Sequence, residues 1–186
     1  MALQAEKIIL GIDPGTNVMG YGLIACTGNK SRLLDLGVLH LNKVKEPMEK
    51  LQLIFNETRR LISTYSAHEL AIEEPFYGKN IQSMLKLGRA QGMAIAAAIH
   101  ENVPVYQYAA RKIKQSITGN GASSKEQVAG MLQHLMAIKV MPVKLDATDG
   151  LAVAVCHFYQ NGVQNISGAK YNSWQNFLSQ NPDRVK

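Results

Sequence analysis

At 186 residues, 46% of them hydrophobic, the chain is long enough to bury a core and too apolar to be disordered along most of its length. With 20 Lys and Arg against 14 Asp and Glu, its formal charge of +6 favours a polyanionic partner, nucleic acid being the commonest. Glu6 and Lys7 before a short apolar run do not fit a signal peptide, and no apolar stretch approaches membrane-spanning length, so a cytoplasmic protein is expected.

Residues 7–13 (KIILGID) are an apolar run stopped by Pro14-Gly15, the pattern of a buried strand ending in a turn. Residues 18–26 and 33–41 are two further strand-like runs, separated by Gly28-Asn29-Lys30, which suits a hairpin turn. Met48, Leu51, Ile54, Phe55, Leu61 and Ile62 recur at helical spacing over 47–65. Leu70-Ala71-Ile72 is a short strand running into Glu73-Glu74-Pro75, a long helix follows over 81–100, and 103–107 is a fifth strand. Three helical segments come next, at 109–118, 124–138 and 146–159, divided by GNGASS and by a loop at Pro142. Hairpin-linked strands followed by helix-linked strands predict an α/β domain: a mixed five-stranded sheet with helices on both faces, similar to the RNase H-like arrangement. The domain is expected to span residues 1–160. Residues 161–186 read as a polar tail of weak helical content, with Tyr171, Trp174, Phe177 and Leu178 as a small apolar stripe.

Strand alternation puts Ile9, Gly11 and Asp13 on one face and Ala71 and Glu73 on one face. Each strand therefore ends in an acid that follows a small residue on the same side. Asp146 and Asp149, three apart at the start of a helical pattern, lie on one side of its first turn. Four carboxylates in one pocket repel unless cations join them, and paired Mg²⁺ ions that clamp the two oxygens of a phosphodiester displacement are the usual solution. Each acid also has an ordinary reading: Asp146 as a helix cap, Asp149 as a first-turn charge, Glu73 as the end of an edge strand, Asp13 as turn chemistry. Cys26 and Cys156 lie in apolar stretches without Cys-x-x-Cys spacing and read as buried thiols.

GIDPGTNVMGYG (11–22), AIEEPFYGKN (71–80), LKLGRAQG (85–92) and LDATDGLAVAVCH (145–157) occur in this order. Together they resemble the RuvC family of Holliday junction resolvases, from about residue 8 to residue 159; the segment after Asn161 lies outside the resemblance. The resemblance implies a metal-dependent endodeoxyribonuclease that resolves four-way DNA junctions by paired symmetric nicks. It implies a homodimer that works with the RuvA and RuvB branch-migration complex in recombination and repair. Carried over by position, the metal-holding catalytic acids are Asp13, Glu73, Asp146 and Asp149, with two Mg²⁺ per site and Mn²⁺ as a substitute. Lys114 (in RKIKQS) and Lys125 (in SSKEQV) match the family's active-site lysines, and Phe76 its base-stacking aromatic. Glu74 points away from Glu73 by strand parity and receives no role.

Around these positions, Lys79 and Asn80 beside Phe76 suit a stacking platform next to a phosphate contact, and Arg111 joins Lys114 as an expected DNA contact. Ser124 and Gln127 form a capping-box pattern. Lys125 in the first helical turn opposes the helix dipole, and with no structural partner evident a phosphate contact is expected. His157 lies roughly 16 Å along the helix from Asp146, too far to share a metal, and reads as a packing or surface residue. Gly88, Gly92 and Ala96 recur every four residues as a nearly bare stripe, suited either to a subunit interface or to close packing on the chain's own sheet. Two other functions fit parts of the pattern. GIDPGT also resembles the phosphate loop of sugar-kinase and actin-like ATPases, but those need a second glycine-rich loop, and this chain offers only Gly119-Asn120-Gly121. A junction-binding protein with purely structural acids is the second.

Overall fold

The computed structural model describes residues 6–75, 80–140, 142 and 145–166, with 162–166 as backbone. Five strands, β1 (Lys7–Asp13), β2 (Val18–Thr27), β3 (Lys30–His40), β4 (Glu69–Glu73) and β5 (Val105–Tyr108), form one sheet in the order β3-β2-β1-β4-β5. The first three are antiparallel, whereas β4 runs parallel to both β1 and β5. The β2–β3 hairpin turns at Gly28, whose φ of 58° is one that glycine adopts without strain. Helices α1 (Pro47–Tyr65) and α2 (Ile81–His100) cover one face. The shorter α3 (Ala110–Thr118) and α4 (Lys125–Leu135), with α5 (Asp146–Ile166), cover the other. Helices on both faces of a mixed five-stranded sheet are the arrangement that the sequence predicts.

The alternating strands divide the core in two. Leu10, Ile12, Leu70 and Ile72 pack with Ile54, Leu61, Ala90 and Ala94 of α1 and α2, while Ile9, Ile24 and Ala71 pack with Leu151, Val155 and Ile113. α5 lies against β1 and β2 with almost no separation. A Cβ added at Gly11 would collide with the Gly150 carbonyl, one at Gly20 with the Asp146 carbonyl, and one at Gly22 with Leu151 Cα. Glycines are what let a helix backbone rest on these strands.

Several element ends differ from the pattern reading. β3 begins at Lys30 because the hairpin closes over two residues, and β5 is displaced to 105–108. α4 stops at Leu135, with Ser124 as its cap and the reciprocal Ser124–Gln127 bonds both formed. α5 continues to Ile166, across the expected start of the polar tail. Loss of apolar periodicity marks where a helix leaves its core, not where its hydrogen bonds stop. The stripe Tyr171, Trp174, Phe177 and Leu178 lies outside the described residues.

α2 meets the rest of the chain through Ala90, Gln91, Ala94, Ala97 and Ala98, all buried. Among the described residues nothing lies within 4 Å of a Cβ added at Gly88 or Gly92, and Ile81, Leu85 and Ile99 on the same side are 65%, 52% and 65% exposed. The bare stripe therefore does not pack on the chain's own sheet.

Candidate active site

Asp13 and Glu73 end two neighbouring parallel strands, one step beyond the Ile12–Ile72 pair, and both half-buried acids face α5. Asp13 pairs across β2 with Gly20, the residue over which the Asp146 carbonyl rests, so the bare strand sets the first turn of α5 beside the strand acids. A cavity of about 120 Å³ results. Asp13, Glu73 and Asp149 line it with Lys114 of α3 and Lys125 of α4, against an apolar wall of Ile113, Val128 and Ala152. Asp146 stands at the rim, 3.7 Å from the Lys125 ammonium. A larger groove of about 430 Å³, lined by Leu36, Val38, His40, Pro142 and Ala147, contains none of these acids.

The acids repel strongly. Burial, then the charges of Glu73 and Asp149 and, least, of Asp146, push Asp13 up to about 8, against the opposing effect of Lys125. Burial and Asp149 push Glu73 up to about 7, while Lys125 and Lys114 act the other way. Burial also raises Asp149, with Asp146 adding to the rise and Lys125 opposing it. The Lys125 ammonium donates to Asp149 Oδ2 at 2.5 Å. This ion pair corrects the expectation that Lys125 lacks a structural partner: it reaches from the start of α4 to neutralise the first turn of α5.

The donor set is composed wholly of hard carboxylate oxygens, which suits Mg²⁺, Mn²⁺ or Ca²⁺ rather than a thiolate-loving ion. Among the described residues no three acid, His or Cys side chains converge closely enough to enclose an ion as they stand. The mutual repulsion of Asp13, Glu73 and Asp149 is nonetheless what bound cations would relieve, and Lys125 sits where it offsets part of it.

Other expected site residues are placed less uniformly. Phe76 and Lys79 lie outside the described residues. Asn80 caps α2, its side-chain oxygen accepting from the Ser83 N–H at 3.0 Å, which gives it a structural use beside the expected DNA contact. Arg111 is exposed on α3, its stem against Gly121. His157 is fully buried and bonded to Tyr108 and Glu69 at 2.6 and 2.8 Å, hence a packing residue. Cys26 and Cys156 are free buried thiols. One neighbour of the site escaped the sequence reading: Gln91 of α2 donates to the Glu73 main-chain carbonyl at 3.1 Å. Its only signal was an amide on the otherwise apolar buried face of the helix.

The family model for the crossover junction endodeoxyribonuclease RuvC matches residues 9–157. A protein of that name from Cytophaga hutchinsonii is 55% identical, over 97% of this chain and 89% of its own length. One from Bacteroides fragilis is 51% identical, over 97% of each. Coverage of this extent carries the similarity past Asn161, into the segment that the motifs left unmatched. Among solved structures, Thermus thermophilus RuvC in complex with Holliday junction substrate superposes with a TM-score of 0.79 at 30% identity, covering 85% of this chain and 96% of that one. The yeast mitochondrial resolvase Ydc2, at 15% identity and a TM-score of 0.63, shares the fold. With a family model spanning most of its length and relatives more than half identical along nearly all of it, the chain belongs to the RuvC family of crossover junction endodeoxyribonucleases.

Proposed function

We propose that this protein is a structure-selective, metal-dependent endodeoxyribonuclease that resolves four-way DNA junctions by paired symmetric nicks, in homologous recombination and DNA repair. The observation that carries this is the meeting of Asp13, Glu73 and Asp149 in one lysine-walled cavity, within a chain of the RuvC family. Two Mg²⁺ ions per site, or Mn²⁺ in their place, would supply Lewis-acid stabilisation of the attacking and leaving oxygens of the phosphodiester. Asp13 and Glu73 would hold them from the strand ends, and Asp149, with Asp146 at the rim, from the helix. Lys125, released from Asp149, and Lys114 would then face the scissile phosphate and balance its charge. Arg111, Lys79, Asn80 and the stacking ring of Phe76 extend the contact along the junction.

Two symmetric nicks require two such sites, and one chain supplies a single set of acids. We place the two-fold interface on the open face of α2, where Gly88 and Gly92 permit close backbone approach and Ile81, Leu85 and Ile99 supply apolar area. Cooperation with the RuvA and RuvB complex belongs to the same proposal, and family membership supports it. The test is nicking of a synthetic four-way junction, with linear duplex as the control substrate. Wild type should cut the junction symmetrically with Mg²⁺ and leave duplex intact. Asp13→Asn, Glu73→Gln, Asp146→Asn and Asp149→Asn should each lose roughly two to three orders of magnitude in rate while still binding the junction. An Asp13→Asn protein that cuts at near wild-type rate would sink the assignment. Binding without any metal-dependent nicking would leave a junction-binding protein.

A further inference from the structure

The Glu73 carbonyl stands at a gap in the sheet. Leu70 and Glu74 donate their N–H groups to Pro104 and Tyr108, on the β5 side of the strand. By alternation the Glu73 carbonyl points the other way, toward β1. Continuing the β1–β4 register beyond Ile12–Ile72 puts residue 14 where the next ladder donor would stand, and residue 14 is proline, which has no N–H. The sequence that turns the chain immediately after Asp13 thus deprives the neighbouring acid's backbone of its partner. An unpaired carbonyl in a half-buried strand end is costly and free to tilt.

Gln91 fills this gap from the opposite face of the sheet. Its side chain is buried (7% exposed), and Nε2 donates both to the Glu73 carbonyl at 3.1 Å and to Gln107 Oε1 at 3.2 Å. The second bond fixes the amide's orientation, and Gln107 is the residue paired across β5 with Ile72. Leucine or methionine would fill the same space in this core, so volume alone gives no reason for an amide here.

We propose that Gln91 is a positioning residue for the reaction, replacing the ladder donor lost at Pro14 so that the last peptide of β4 holds the Glu73 carboxylate at a fixed distance from Asp13. This rests on Glu73 being one of the metal-holding acids. Gln91 touches neither substrate nor ion and acts only through the Glu73 backbone. Because α2 also carries the open glycine face, the same side chain ties that helix to the end of the acid-bearing strand.

The test uses the full chain with Gln91→Met, which keeps length and volume but removes the donor. Junction cleavage at saturating Mg²⁺ should fall about tenfold, the consequence of a carboxylate displaced by a fraction of an ångström. Junction affinity measured without divalent metal should be unchanged. The Mn²⁺ concentration for half-maximal cleavage should rise severalfold, and the increase in Tm produced by Mn²⁺ should shrink. A merely structural role would lower Tm without moving the metal response, and that result overturns the proposal. Should Gln91→Met fail to fold, Gln107→Leu, which removes only the orienting acceptor, should shift the Mn²⁺ requirement in the same direction by a smaller factor; no shift overturns the proposal equally. Glu73→Gln measured in parallel separates the two claims. An inactive Glu73→Gln beside an unaffected Gln91→Met defeats the positioning role alone, whereas an active Glu73→Gln defeats the assignment of the acid itself.

Discussion

Asp13 and Glu73 hold protons in the metal-free protein at pH values where free carboxyls have lost them. Their ordinary values of 3.8 and 4.5 rise to about 8 and about 7, chiefly through burial, then through the charges of Glu73 and Asp149 at Asp13 and of Asp149 at Glu73. Between the ordinary and the raised value the folded chain carries a proton that the unfolded chain does not. The stability these groups contribute is therefore full at low pH and falls as pH rises toward 8. Metal-free protein should show a Tm that declines from pH 5 to pH 8. Asp13→Asn should flatten that decline and raise the metal-free Tm at pH 8 by a few degrees, the response of a chain this size to about 1 kcal/mol. A metal-free Tm that stays level over this range in the wild type would contradict the raised values. At this scale the placement of Asp13 and Glu73 at strand ends and of Asp146 and Asp149 on one first helical turn is legible in the sequence, because strand parity and a three-residue helical spacing are local properties. The sequence does not disclose that Lys125 pairs with Asp149, or that Gln91 serves Glu73. Those contacts join elements whose mutual placement has no local signature, and one of them ends on a main-chain atom that looks alike in every residue.

The packing of α5 on the sheet decides whether three acids from different elements meet. Gly20→Ala would drive a methyl group into the Asp146 carbonyl, a backbone atom that can yield only by moving the helix. It should cost about 1–3 kcal/mol of stability. Nicking should fall further than the lost stability accounts for, because the same shift carries Asp146 and Asp149. Gly130→Ala in α4 is the control: its Cβ meets nothing within 4 Å, and replacing a helix-interior glycine should add about 0.5–1 kcal/mol at unchanged activity. Comparable nicking by the two variants at equal folded fraction would show that α5 tolerates displacement. Apolar periodicity locates β1, α1 and α2 to the residue, helped by Pro14 just after β1, Pro47 at the start of α1 and the Asn80 cap of α2. Periodicity is silent about Gly20 and Gly22: in a strand a glycine reads as a weakness, and its use appears only once a helix backbone is seen lying on it.

On the scale of the whole molecule, the interface proposed on the open face of α2 would separate folding from assembly. A Cβ at Gly92 meets nothing within 4 Å among the described residues, and Gly92→Leu removes a helix-interior glycine, so the subunit should be as stable as wild type or about 1 kcal/mol more so. Sedimentation should nevertheless show a dimer for wild type and a monomer for Gly92→Leu, with paired nicking lost and junction binding weakened. A wild-type monomer at micromolar concentration would defeat the dimer, and a dimeric Gly92→Leu only the choice of face. The order in which the acids occur along the chain has a consequence for biosynthesis. Asp13 and Glu73 belong to the first and fourth strands, whereas Asp146 and Asp149 arrive on the last described helix. A nascent chain can lay down most of its sheet with two acids at the strand ends and the bare Gly11, Gly20 and Gly22 patch still uncovered. If the four acids act together as proposed, the centre stays incomplete until α5 is made and docked, so a nascent chain would carry two of its acids without the power to cut.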